Sequence, residues 1–242
     1  RSITTIPVVL VQNFYYEKKA LQRLSPYYWS RQGFDHAAKL WETLNIFGIE
    51  LGLPRQSEIT VSAWLANEIF AGQRFSRNAV RLEAGSQPFN WLGLGLDWRY
   101  GQAIYYNYDE PLGGYEQQLR ASIRLQPIAK LSTQLNVSFG NFHPKASAET
   151  LYSVTIWRNS TVWQFNKYLF FRAISEYNAY VHKFREDLLL SFTWIPGTVI
   201  YLGYGSQFDK QEWNGMDYIA GNEFNQSQGT WFFKASFRWQ RK

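Results

Sequence analysis

The chain has 242 residues, 45% of them hydrophobic and 19% aromatic, with a formal net charge of +6. It has no cysteine, which excludes a disulfide framework, a thiolate metal site and a cysteine nucleophile. Its basic residues are scattered, without a basic stripe or nucleic-acid module, so nucleic acid is not expected as a partner.

Period-2 alternation marks roughly twelve strand-like segments. In chain order they cover about 4–16, 40–52, 57–70, 77–87, 92–106, 114–126, 130–141, 150–164, 168–180, 186–195, 198–208 and 229–239. The span 18–39 reads as a long connection, and 37–41 competes as a helical turn against the strand beginning near Leu40. Alternation is cleanest in the middle. Leu92, Leu94, Leu96, Trp98 and Tyr100 oppose Gly93, Gly95, Asp97, Arg99 and Gly101. Leu119, Ala121, Ile123 and Leu125 oppose Arg120, Ser122 and Arg124. Such two-faced strands need one apolar and one polar medium.

From Leu188 to Phe208 no residue is charged, a length that would suit a transmembrane helix. Pro196 and Gly197 break it in the middle, and each half alternates, so it is expected to be a hairpin. At the end, Trp231, Phe233, Ala235, Phe237 and Trp239 share one face, like a closing barrel strand, although Gln240, Arg241 and Lys242 follow. Connections alternate between short (52–55, 87–90, 126–129, 165–167, 195–197) and longer (18–39, 106–113, 140–149, 209–228), as in outer-membrane barrels. Aromatics gather near strand ends, which suits interfacial girdles. An even count of twelve strands puts both termini on the periplasmic side.

These features predict an all-β fold: one domain over 1–242, an antiparallel transmembrane β-barrel with about 12 visible strands. With strands missing upstream, the full barrel has 14 or 16. The chain starts at Arg1 without Met, as a processed or excised piece does. The bacterial outer membrane is the expected location, with the lipid bilayer, lipopolysaccharide and other outer-membrane proteins as partners. A soluble, aromatic-rich carbohydrate-binding β protein is the alternative.

FNKYLFFRAISEYNAY, REDLLLSFTWIPGTVIYLGYG and the closing WFFKASFRW together resemble the C-terminal barrel of a Bacteroidota family. In that family a carbohydrate-binding family 9-like module precedes a barrel of unknown function. The resemblance is strongest from Asn67 to Trp239, and most specific at Tyr168–Tyr180 and Arg185–Gly205. It implies an outer-membrane location and an upstream module, but no established activity and no catalytic residue.

The expected polar face carries Arg81, Glu83, Asp97, Arg99, Arg120, Arg124, Arg172, Glu176 and Asp187. Opposed charges there either fill the lumen with satisfied pairs or form an arginine ladder that favours anions. Residues 81–124 of this set are expected to form one network. The expected loop 209–228 presents Trp213, Tyr218 and Phe224 to a glycan or partner, with Asp209, Glu212, Asp217 and Glu223 as oxygen donors. His36, His143 and His182 fall in expected loops without metal-ligand spacing, so neither a metal nor another cofactor is expected. No Gly-x-Ser-x-Gly elbow occurs, and no enzymatic activity is expected.

Overall fold

The computed structural model describes residues 3–17, 20–36, 39–147, 149–195, 197–213, 216 and 218–238. The strands are β1 (Ile3–Val11), β2 (Phe14–Tyr15), β3 (Arg23–Asp35), β4 (Leu40–Leu53), β5 (Ser57–Phe70), β6 (Gln73–Ser76), β7 (Ala79–Phe89) and β8 (Leu92–Tyr105). They continue with β9 (Leu112–Ile128), β10 (Leu131–Pro144), β11 (Tyr152–Gln164), β12 (Leu169–Asn178), β13 (Lys183–Ile195), β14 (Thr198–Trp213) and β15 (Tyr218–Ser236). All belong to one open antiparallel sheet in the order β1-β3-β4-β5-β7-β8-β9-β10-β11-β12-β13-β14-β15, with β2 on β3 and β6 on β5 off that path. No helix among the described residues is long and apolar enough to cross a membrane, which says nothing about crossing by strands.

The chain divides into two compact units. The first comprises Arg1–Phe89, Gly93–Ala121 and Ser138–Ser153. Here register builds rows of side chains across neighbouring strands. Phe47, Ala63 and Val80 align on one face, as do Ile49, Val61 and Leu82. On the other face Tyr27, Gly48, Ser62 and Arg81 align. A Cβ at Gly48 would collide with the Tyr27 ring, so glycine there lets the aromatic lie across the neighbouring strand. Ala71 and Gly72 both have positive φ (48° and 75°), the type I′ pattern that joins β5 to β6 in two residues.

The second unit comprises Asn90–Leu92, Ser122–Val137 and Val154–Lys242. Trp163, Phe171, Leu190, Leu202 and Phe233 form one row across five strands. Arg158, Glu176, Arg185, Gln207 and Gln228 form another on the opposite face of the same strands. The hairpin expected over 188–208 is present: β13 ends at Ile195, Gly197 turns with φ 92°, and β14 begins at Thr198. Pro196 lies outside the described residues.

Among the described residues, neither unit buries a large apolar core. The only buried apolar side chains among the described residues are Ile69, Ala79, Ala103, Ile104 and Phe142, all in the first unit. Phe47, Leu65, Tyr100, Trp157, Trp163 and Leu202 are instead 44–52% exposed.

Four expectations are corrected. The connection expected over 18–39 contains β3, because RLSPYYWSRQGFD mixes polar and aromatic residues on both phases and hides its period. The sheet path therefore has thirteen strands, an odd number, and the even count that placed both termini at one end falls. The loop expected over 209–228 is mostly strand: β14 runs to Trp213, β15 starts at Tyr218, and those two residues are register partners. Charges on both phases of FDKQEW, with register shifts at Gln207/Phe208 and Asp209/Gln211, mask that extension. His143 is likewise on β10 and not in a loop. Asp217 and Trp239 lie outside the described residues.

Candidate functional site

Arg81, Glu83, Asp97 and Arg120 meet on the polar face of β7, β8 and β9. The Arg81 fork donates to Asp97 through both Nε–Oδ1 and Nη2–Oδ2, each 3.0 Å. Arg81 also reaches Glu83 at 3.0 Å, and Arg120 approaches Asp97 at 3.6 Å. A two-pronged guanidinium–carboxylate contact fixes geometry better than a point charge does, so Arg81 and Asp97 form the rigid centre of this group. Arg120, 68% exposed, adds little by comparison.

Arg99 is not part of that ion-pair group. Its guanidinium lies 5.0 Å from the centroid of the Trp64 ring, a cation–π contact. Beyond it Arg77 pairs with Glu68, whose Oε2 also accepts from the Tyr106 hydroxyl at 3.0 Å. Tyr106 lies just past the end of β8, and burial, the leading cause, raises its pKa above the usual phenol value. Arg31, Arg77, Arg99, Trp64, Glu42 and Glu68 line a cavity of about 310 Å³, with Leu44 and Ala66 in its wall.

In the second unit Arg158 donates to Glu176 at 2.8 Å, and Arg185 donates to Gln207 at 3.3 Å. Lys183 and Gln207 both approach Asp209, at 3.7 Å and 3.2 Å. Among the described residues Arg124, Arg172 and Asp187 make no ion pair. Asp187 opens onto a cleft of about 320 Å³ with Arg185, Gln207, Gln228 and Thr230. The single network expected over residues 81–124 is thus smaller: four residues join it, Arg99 is held by an indole, and Arg124 stands apart.

Phe224 is a strand residue packed edge-on against Tyr177 at 5.9 Å, with Lys210 over its ring at 5.1 Å. Trp213 and Tyr218 are paired strand residues, and their side chains lie outside the description. No group of three or more His, Asp or Glu side chains among the described residues is arranged to hold a metal ion.

Sequence reasoning missed Arg23, Arg31, Arg77, Glu68, Arg158 and Arg185. Arg23, which pairs with Glu50 and Glu58, and Arg31 lie on β3, whose period is hidden. Arg158 shares a phase with Ser160 and Val162 and stands opposite Glu176, so pairing the adjacent strands would have found it.

The apolar face is not uniformly apolar. In the first unit Ser30, Tyr28 and Gln32 all donate to Asn45 Oδ1, at 3.0, 2.8 and 3.0 Å. In the second, Asn159 donates to Thr133 at 3.0 Å and Ser175 to Glu186 at 3.0 Å. The amide and hydroxyl groups satisfy one another, which lowers their desolvation cost, whereas the Glu186 carboxylate is answered by a serine hydroxyl and not by a cation.

No family model matches this chain, and no curated protein matches it. A solved structure, the CymD monoaromatic hydrocarbon channel, superposes at a TM-score of 0.35 and 10% identity, over 86% of this chain and 82% of that one. A likeness that distant assigns neither fold nor function.

Proposed function

We propose that the chain is a β-barrel of the bacterial outer membrane, whose polar face lines a lumen and whose apolar face meets lipid. The observation that carries this reading is the pairing of exposed apolar rows with charged rows on the same strands, in units that bury almost no apolar side chain. An apolar surface of that extent is not stable against water, but is satisfied by hydrocarbon. Strand length agrees: most path strands have 10 to 17 residues, enough to cross when tilted.

In hydrocarbon, unpaired edge groups cost several kcal/mol each, about the value of a buried unsatisfied amide, so the open path must be closed in the membrane. Thirteen path strands and one further strand would give fourteen, an even number as in bacterial single-chain barrels. The reading is consistent with the Bacteroidota barrel that the sequence resembles. The arginine-bearing polar face makes the barrel a passage for solutes with an anionic preference, and its outer-membrane setting brings lipopolysaccharide against the apolar face.

The test is the detergent requirement of the purified chain. Monodisperse behaviour only in detergent or lipid, with heat-dependent electrophoretic migration, is expected. A chain that stays monodisperse in plain buffer overturns the barrel and favours a soluble carbohydrate-binding protein.

A further inference from the structure

The cavity at Arg31, Arg77 and Arg99 differs from every other charged cluster described above in how its cations are answered. Arg31 on β3 and Arg99 on β8 make no ion pair among the described residues. Arg77 pairs with Glu68, yet its Nε is buried without a hydrogen-bond partner. Glu68 is already engaged by Arg77 and Tyr106, and Glu42 accepts the Ile69 N–H at 2.9 Å. Three arginines and two occupied carboxylates thus line one cavity. A buried N–H donor without an acceptor is costly, and a guanidinium fork matches an oxyanion in shape and charge.

We infer that this cavity is a binding site for a small organic monocarboxylate. The assignment rests on the lumen-facing reading of the polar face and names the class of solute the lumen would take. Charge favours a small anion of low charge: three cations and two carboxylates line the cavity, and Glu116 acts on Arg99 from beside it. A dianion such as phosphate fits that balance less well. Leu44 and Ala66 offer a small apolar patch for an organic part beside the guanidiniums, while one face of the Trp64 ring is covered by Arg99. The volume of about 310 Å³ admits a short chain with its carboxylate and some water. Register supports one wall directly, because Arg31, Leu44 and Ala66 are successive partners across β3, β4 and β5.

The test uses the full chain in detergent micelles, titrated calorimetrically with butyrate, n-butanol and inorganic phosphate. Saturable butyrate binding is expected, weaker by about tenfold or more in Arg31→Gln and in Arg99→Gln, and intermediate in Arg31→Lys. Arg55→Gln, at the β4–β5 turn, should bind as the parent does. The site is overturned by an absence of saturable butyrate binding, or by binding that survives both glutamine substitutions. The monocarboxylate class is overturned if phosphate binds more tightly, or if butanol binds as well as butyrate. Heat-dependent migration of each variant reads barrel formation separately, so a failed site with an intact barrel is distinguishable from a failed barrel.

Discussion

Two rows cross the same five strands of the second unit, a few residues apart and on opposite faces. Trp163, Phe171, Leu190, Leu202 and Phe233 make one; Arg158, Glu176, Arg185, Gln207 and Gln228 make the other. Their exposures overlap: Trp163 is 46% exposed and Leu202 44%, against 48% for the Arg158 side chain. Burial therefore does not separate the faces, and composition does. Backbone geometry alternates the two phases, and the medium each phase meets decides which residues it tolerates. In a soluble sandwich the first row would be covered by a second sheet.

The comparison breaks most visibly at Leu190. Leu190→Arg puts a charge in the apolar row and should cost about 2–4 kcal/mol near the bilayer midplane. Urea titration of vesicle-inserted protein measures it, and Ile123→Arg should behave alike. A cost below about 0.5 kcal/mol, the scale of an ordinary surface change, would mean that water meets that face.

A smaller effect is expected at Glu176, the only carboxylate in the polar row. Glu176→Gln leaves Arg158 and Arg185 flanking a neutral residue and should cost about 1 kcal/mol, since Arg158 is half exposed and its pair is partly screened. The same titration checks it. The converse change, Gln228→Arg, adds charge at an exposed position opposite the neutral Gln207 and should stay within about 0.5 kcal/mol.

The smallest effect on stability, and the sharpest on selectivity, is expected from Arg120→Ala with Arg124→Ala. Neither residue is locked into a two-pronged pair, so stability should change little. Reversal potentials in planar bilayers should shift toward cations by a few millivolts or more. An unchanged ratio would assign these arginines to filling the lumen.

The faces of β8, β9 and β13 were legible in the sequence because their alternation is nearly unbroken, and the 188–208 hairpin because proline and glycine interrupt an uncharged run. β3 was not, because Tyr28, Ser30 and Gln32 put polar groups on the phase that elsewhere is apolar. They are tolerated there only through hydrogen bonds to Asn45, a residue of the next strand. Tertiary partners of that kind leave no trace in a local period. The charge group was legible by phase but not by partner: Asp97 is claimed by Arg81, while Arg99 turns to Trp64. Sequence spacing cannot choose between two arginines that share a face with one carboxylate.

Tyr27 over Gly48 and Phe232 over Gly203 act as keys cut for one alignment. Shift β3 by two residues along β4 and every side chain keeps its face, so hydrophobic patterning alone would accept the error. The tyrosine ring would then meet Ile46 or Glu50 instead of bare backbone, and Gly48 would lie uncovered. Misaligned copies of this hairpin carry their own penalty and can be discarded before the remaining strands commit. Replacing Gly48 with valine should therefore slow assembly and broaden the set of pairings that form, even where the final sheet survives. Pulse-proteolysis of refolding intermediates would register that loss of fidelity.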